Sequence, residues 1–167
     1  MPEDVPELSA FPKTVRASLR TPEPQYHLVS THVALHGVDA ADSADAAARF
    51  EHEKIAVYPV QTLRDATRKG REAAGPVYAL SGGTLAVPTG SVFVRFTPNV
   101  KFTDQADQLR SAGYDIVRTV SYAPNAGWVG AHSGGIAASL AGVDKLAAIP
   151  GVEEVEPQML TRAARKA

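Results

Sequence analysis

Four histidines in the first part of the chain have a spacing that suggests a metal site. His32 and His36 lie four residues apart, with His27 before them and His52 after them, and imidazoles at that spacing can share a zinc ion. The surrounding residues Tyr26–Leu35 alternate as in a β-strand, however, where four residues span about 13 Å. One metal ion cannot bridge that distance, so we expect no metal site and no other cofactor.

The motif His132-Ser133-Gly134-Gly135 places a candidate nucleophile beside a candidate base. Neighbours in sequence do not by themselves form the hydrogen bond that a Ser–His pair needs, and the chain lacks a G-x-S-x-G nucleophile elbow. The Gly-Gly pairs at 82–83 and 134–135 match neither a dinucleotide fingerprint nor a phosphate loop and are typical of turns. We therefore expect a protein that is not an enzyme.

Three glutamates cluster near the end of the chain, at Glu153, Glu154 and Glu156. On a strand such a group is often only the solvated face. A carboxylate at a strand end can also cap a helix in a partner, where free N–H groups and the helix dipole favour negative charge by about 0.3–1 kcal/mol. The residues alone leave both interpretations open.

Composition limits the classes of partner. The 167 residues include 17 Lys and Arg against 18 Asp and Glu and no cysteine, and this balance provides no global field that attracts nucleic acid or an anionic membrane. No apolar run reaches the length of about 18 residues that a membrane span needs. The first residues are acidic and rich in proline, unlike a secretory signal. We expect a cytoplasmic protein that binds neither nucleic acid nor membrane.

The first half is predicted to hold an extended arm and then an α/β region. Prolines interrupt residues 1–25, which indicates a partly mobile arm, and residues 26–90 form the α/β region. Its predicted strands are Tyr26–Leu35 and Lys54–Val60, its predicted helices Ser43–Glu53 and Thr62–Ala74. A hairpin is expected to join Val77–Leu80 to Thr84–Val87, and Thr89-Gly90 to form a turn.

Residues 91–157 have the pattern strand, helix, strand, strand, helix, strand. The predicted strands are Ser91–Thr97, Tyr114–Tyr122, Trp128–Ala131 and Val152–Glu156; the predicted helices run from Thr103 or Asp104, as cap, to Ala112 and from Ile136 to Ile149. This order predicts an α+β fold with a ferredoxin-like βαββαβ topology, in which an antiparallel four-stranded sheet carries both helices on one face. The first half could be a partial repeat of the same plan. The uncovered face of such a sheet is a common docking surface.

Three segments of this half resemble the propeptides of subtilisin-family serine proteases. They are Phe93-Val94-Arg95-Phe96, Tyr122-Ala123-Pro124-Asn125-Ala126 and Val152-Glu153-Glu154-Val155-Glu156-Pro157, and the resemblance covers about residues 76–160. In that family the sheet packs on two surface helices of the protease, and acidic groups of the last strand cap those helices. The resemblance implies Glu156 and Glu154 as caps, and Phe93, Tyr122 and Trp128 on the docking face.

The resemblance also implies a role for residues 158–167, because the tail of such a propeptide enters the active-site cleft like a product. The cleft residues would be Met159, Leu160, Thr161, Arg162, Ala163 and Ala164, with Ala164 near the primary pocket and Thr161 near the fourth subsite. No protease sequence follows Ala167. The expected function is therefore a stand-alone inhibitor, and also a chaperone, that forms a heterodimer with a separate subtilisin-like protease. The alternative is a non-inhibitory ferredoxin-like module that binds a protein or senses a ligand.

Overall fold

Antiparallel strands make up most of the residues that the computed structural model describes, which are 11–18, 25–37, 47–50, 53–59, 74–80 and 82–161. Short helices in the second half complete a mixed α+β fold. Within these residues no helix is long and apolar enough to cross a membrane. The contacts divide the chain into two units. The N-terminal unit draws on Phe11, on described residues within His27–Val87 and on Leu160 and Thr161. The C-terminal unit draws on described residues within Pro12–Tyr26 and on Pro88–Met159.

The N-terminal unit is an antiparallel sheet in the order β3-β4-β2-β5-β6. Its strands are β2 (Gln25–His36), β3 (Ala48–Phe50), β4 (Ile55–Pro59), β5 (Ala74–Ala79) and the start of β6 (Leu85–Phe96). Side chains on both faces are buried: Val33 and Leu35 belong to one cluster, and Ala34, between them, belongs to another. Because successive side chains of a strand point to opposite faces, the apolar run of β2 reflects a strand covered on both sides.

The helix predicted at Ser43–Glu53 is wrong at 48–50, where β3 pairs with β4 in the register Ala48↔Val57 to Phe50↔Ile55. The alanines of this segment favour a helix, but Ala48 and Phe50 pack against the apolar cluster of β4. Helix propensity contributes only a small free energy per residue, and the tertiary packing of these side chains outweighs it here. Residues 62–73 of the other predicted helix lie outside the described residues, and Ala74 already belongs to β5.

Strand β6 continues through the segment where a turn was predicted at Thr89-Gly90. The hairpin before it is confirmed, with Tyr78↔Ala86 and Ala79↔Leu85 in register, but β6 then runs unbroken to Phe96. Gly90 has φ +95, a value that a residue without Cβ adopts at low cost. The glycine therefore allows an irregularity within the strand instead of ending it.

The C-terminal unit arranges its strands in the order β9-β6-β8-β7. After β6 come a 3-10 helix (Phe102–Gln105), α1 (Ala106–Ser111), β7 (Tyr114–Thr119), β8 (Ala126–Ala131), α2 (Ile136–Ala141), α3 (Val143–Ala147) and β9 (Val152–Thr161). The predicted order of elements from Ser91 onward is thus present. Gly113 ends the first helical segment in the left-handed region, φ +95, as expected, although the helix has no side-chain cap from Thr103 or Asp104.

One face of this sheet forms the main core of the unit. Alternate residues of β6, Val92, Val94 and Phe96, are fully buried with Leu109 of α1 and Leu146 of α3. Burial of each such side chain contributes about 1.5–3 kcal/mol to folding. The alternation predicted for β6 is confirmed, and it leaves Phe93 and Arg95 on the opposite face.

The single helix predicted from Ile136 to Ile149 is instead two short helices separated at Gly142. A Cβ at Gly142 would lie 2.6 Å from the hydroxyl oxygen of Tyr114. Tyr114 is buried, and its hydroxyl donates a hydrogen bond to the carbonyl oxygen of Ser139. The close approach of this tyrosine requires a glycine at the point where the helix breaks.

Two other segments are more ordered than the sequence indicates. Thr14–Arg16 in the predicted arm forms strand β1, and Val15 is only 4% exposed. The last strand was predicted to end at Glu156 but extends to Thr161. Pro157 lies within it and is buried, which fits an edge strand, where a residue without N–H costs no ladder hydrogen bond.

Substitution Gly127→Ala tests how tightly the helical layer packs on the sheet. A Cβ at this position would lie 2.3 Å from the ring of Phe102, which is 1% exposed, so the ring would have to shift within a packed core. We expect a loss of about 1–3 kcal/mol in the free energy of unfolding, measured by urea denaturation. Gly82→Ala is the control, because its Cβ meets no atom within 4 Å. Equal stability of the two variants would contradict this packing.

Candidate docking surface

The face of the C-terminal sheet opposite the helices carries an aromatic pair. Phe93 on β6 faces Trp128 on β8 in register, and their rings meet edge to face with centroids 5.4 Å apart. Arg118 of β7 places its guanidinium carbon 5.4 Å from the centroid of the Trp128 ring. Edge-to-face and cation–π contacts each add about 0.5–1.5 kcal/mol. The three side chains thus form a braced, partly exposed apolar surface, which we call the open face.

Arg118 was not predicted as part of the open face, because its position depends on an irregularity in β7. The register between β7 and β8 shifts between Ile116 and Arg118, so that the alternation changes at Val117. Val117 is itself 61% exposed. No local sequence signal marks such a bulge; a cation opposite a tryptophan is visible only once the strands are paired.

Tyr122 was predicted at the end of a sheet strand but lies in the turn that follows β7, and it is 89% exposed. Two hydrogen bonds hold this turn in place. The side-chain amide of Asn125 donates to the carbonyl oxygen of Phe96 at 2.7 Å, and the backbone N–H of Phe102 donates to the carbonyl oxygen of Pro124. The segment Tyr122-Ala123-Pro124-Asn125-Ala126 therefore presents an aromatic ring to solvent on a well-anchored loop.

The three glutamates of β9 have different surroundings. Glu153 lies 3.7 Å from the guanidinium Nε of Arg95. Glu154 is only 5% exposed, and it accepts hydrogen bonds from the Ser18 hydroxyl at 2.7 Å and from the Val155 N–H at 3.1 Å. A carboxylate that is buried and bonded in this way is not presented to a partner, so the structure does not support Glu154 as a helix cap.

Glu156 is exposed, and of the two predicted caps it alone is presented at the surface. Partial burial raises the pKa of its carboxyl group, the negative charge of Glu154 raises it further, and the positive charge of Arg95 opposes the shift. Its charge in turn adds to the effect of burial in raising the pKa of Tyr26. The fold therefore keeps a carboxylate at this position at some electrostatic cost.

The predicted cleft tail begins inside the fold. Met159, Leu160 and Thr161 belong to β9, and Leu160 packs against the apolar cluster of the N-terminal unit that contains Val57, Val77 and Val87. Arg162, Ala163 and Ala164 lie outside the described residues. The sequence gives no sign that the strand continues past Pro157, because proline usually marks the end of regular pairing.

Among the described residues, no group of three or more His, Cys, Asp or Glu side chains converges as a metal site would require. His52 lies outside the described residues. His132 instead pairs with Asp115, Nδ1 to Oδ2 at 2.7 Å, and Asp115 also lies 3.7 Å from Arg110. This pair is largely exposed. It is a set of polar contacts at the surface rather than a cleft that excludes water.

The buried imidazole of His36 predicts a pH-dependent stability for the N-terminal unit. Burial lowers the pKa of its imidazole below 6.5, and Nε2 is buried without a hydrogen-bond partner among the described residues. The unfolded chain then takes up a proton at a higher pH than the folded chain. We expect stability to fall as the pH drops below about 6.5 and His36→Gln to flatten this dependence in thermal unfolding from pH 7.5 to 5. Identical slopes for variant and parent would contradict it.

Glu156→Gln tests the electrostatic cost of the exposed glutamate. A raised carboxyl pKa means that Glu156 contributes most to stability when protonated, below its ordinary value of 4.5, and that this contribution is lost as the pH rises through the folded pKa. We expect the glutamine variant to unfold at a higher temperature than the parent at pH 7, with the difference shrinking towards pH 4. Glu153→Gln, which removes the partner of Arg95, should not stabilise. An unchanged unfolding temperature of Glu156→Gln at pH 7 would refute the assignment.

Comparison with known proteins gives no independent support for a function of this surface. The chain matches no protein-family model, and no curated protein or solved structure matches it. The resemblance to subtilisin-family propeptides therefore depends on the residues themselves. The features that bear on it are the aromatic open face, the exposed Glu156 and the segment that follows β9.

Proposed function

We propose that this chain is a propeptide-like inhibitor of a subtilisin-like serine protease, and that its C-terminal unit has the ferredoxin-like topology. The element order supports the topology: the strands lie in the order β9-β6-β8-β7, with helical segments between β6 and β7 and between β8 and β9. This strand order is the one that a split βαβ unit would have, and it supports the proposed topology. The resemblance of the three quoted segments links that topology to protease propeptides.

The observation that carries the proposal is the open face. Its aromatic pair is braced by Arg118 and lies opposite a fully packed core, so that the sheet presents a rigid apolar surface. Rigid aromatic anchors are typical of the centres of protein interfaces, because they bury a large area at a low cost in conformational entropy. Tyr122 adds a ring that is already exposed, so no rearrangement of the chain is needed before a partner can contact it.

In the proposed complex, each part has a distinct task. The open face packs on surface helices of the protease, and Glu156 accepts hydrogen bonds from the free N–H groups at the start of one of them. The residues after Thr161 then run through the cleft as an added strand, with alternate side chains in the specificity pockets. The chain supplies no catalytic group and inhibits by occupying the site of the substrate. The protein and its protease form a heterodimer in the cytoplasm.

One observation favours the second candidate, a ferredoxin-like binding module without inhibitory activity. Met159–Thr161, which an inhibitor was expected to place in a cleft, are part of β9, and Leu160 packs, partly buried, against the apolar cluster of the N-terminal unit. Such a module would use the open face alone. The residues after Thr161 would then be dispensable.

Deletion of residues 162–167 separates the two candidates. The deletion leaves β9 intact, so the unfolding temperature should not change, whereas the inhibition constant against subtilisin should rise at least about 100-fold because the cleft is left empty. Inhibition is measured from the hydrolysis of a chromogenic peptide substrate. Unchanged inhibition by the truncated chain would refute a tail-in-cleft mechanism.

The docking surface is tested in the same assay with Tyr122→Ala and Glu156→Gln. Tyr122 is almost fully exposed, so its loss should weaken binding without lowering stability. Loss of the Glu156 charge should weaken inhibition about two- to fivefold, the equivalent of 0.3–1 kcal/mol. Glu153→Gln is the control for the second substitution. If full-length protein does not inhibit but binds another partner through Tyr122, the binding-module function holds instead.

A further inference from the structure

Leu160 has a place in the fold that its position in the sequence does not suggest. It follows the last predicted strand, yet it packs against the apolar cluster of the N-terminal unit formed by Ala34, Ile55, Val57, Val77 and Val87. These residues come from strands β2, β4, β5 and β6. A partly buried side chain from near the end of the sequence thus packs against a core that is built from its first half.

The same strand is held at a second point just before Leu160. The hydroxyl of Thr89 on β6 donates a hydrogen bond to the side-chain oxygen of Gln158 at 2.7 Å, and this contact lies within the C-terminal unit. Met159 lies between the two points and is not among the residues that pack against the cluster. Residues 158–160 are therefore fixed by one polar and one apolar contact.

We propose that the N-terminal unit is an anchor for the inhibitory tail and that Leu160 is the positioning residue of this anchor. This inference rests on the proposed inhibitory function. With Leu160 packed against this cluster, the segment that enters the cleft begins after Thr161, the exposed last residue of β9. Met159 and Leu160 remain in the inhibitor's own fold and do not occupy protease subsites.

The anchor has two physical consequences. An anchored tail loses less conformational freedom on binding than a free one, so more of its contact energy appears as affinity. A fixed starting point also sets the register, because an extended chain advances about 3.3 Å per residue and the distance from Leu160 then selects which side chain reaches the primary pocket.

Hydrogen exchange of the free full-length chain tests the anchor itself. We expect Leu160→Ala to speed the exchange of the amides at 158–161 at least tenfold, while the amides of Val92 and Val94 keep their protection. Leu160→Met, which retains an apolar side chain of similar size, should restore the slow exchange. Met159→Ala is the matched control on the neighbouring residue and should change little. Unaltered exchange at 158–161 in Leu160→Ala overturns the proposal.

A glycine inserted between Thr161 and Arg162 tests the register and does not disturb the core. Subtilisin is incubated with parent and variant, and the bond at which it slowly cuts the tail is located by mass spectrometry. If Leu160 sets the register, the cut stays at the same number of residues after Leu160 and so moves by one position in the original tail sequence. A cut that stays after the same tail residue overturns the proposal. This readout still applies if Leu160→Ala loosens the whole chain, because the insertion leaves Leu160 in place.

The two proposals fail in different ways. If subtilisin is neither inhibited nor slowed by the full-length chain, the inhibitory function is refuted, whereas the exchange experiment still shows whether Leu160 anchors the segment. If inhibition is strong but neither exchange nor register depends on Leu160, the anchor is refuted and the inhibitory function stands.

Discussion

The burial of one face of β6 is the constraint on which the C-terminal unit depends. Val92, Val94 and Phe96 must leave water together, and they do so against Leu109 and Leu146 of the short helices. Because a strand alternates its side chains, this burial also decides that Phe93 and Arg95 lie on the other face. The core and the open face are thus two results of a single pairing of sheet and helices.

The helices that pack on this sheet are very short, and the packing depends on two places where an aromatic side chain lies directly against a glycine. The ring of Phe102 occupies the space above Gly127 where any other residue would carry a Cβ, and the hydroxyl of Tyr114 does the same at Gly142. Packing at this density tolerates little added volume. The aromatic residues of the core therefore compensate for helices that bury few side chains of their own.

The glutamates of β9 and the residue Leu160 show how the tertiary structure assigns different tasks to similar or adjacent residues. Glu154 accepts a hydrogen bond from Ser18, a residue far away in sequence, whereas Glu156, which lies two positions further along the strand, stays at the surface at an electrostatic cost. Leu160, partly buried, packs against the core of the N-terminal unit. Residues that a chain keeps exposed despite such a cost are often those that it uses for binding.

The sequence by itself determined the features that depend on neighbouring residues: the alternation of β6, the hairpin after Tyr78, the left-handed Gly113 and the order of the elements from Ser91 onward. Short-range periodicity and backbone sterics are enough for these. It failed where distant partners decide the outcome. The pairing with β4 turned the alanine-rich segment at 48–50 into a strand. Contacts with distant parts of the chain likewise broke a helix at Gly142, buried Glu154 and extended β9 to Thr161. The physical reason is that propensity and capping contribute fractions of a kcal/mol per residue, whereas a buried side chain contributes several times more, and only the folded chain brings together the residues that bury one another.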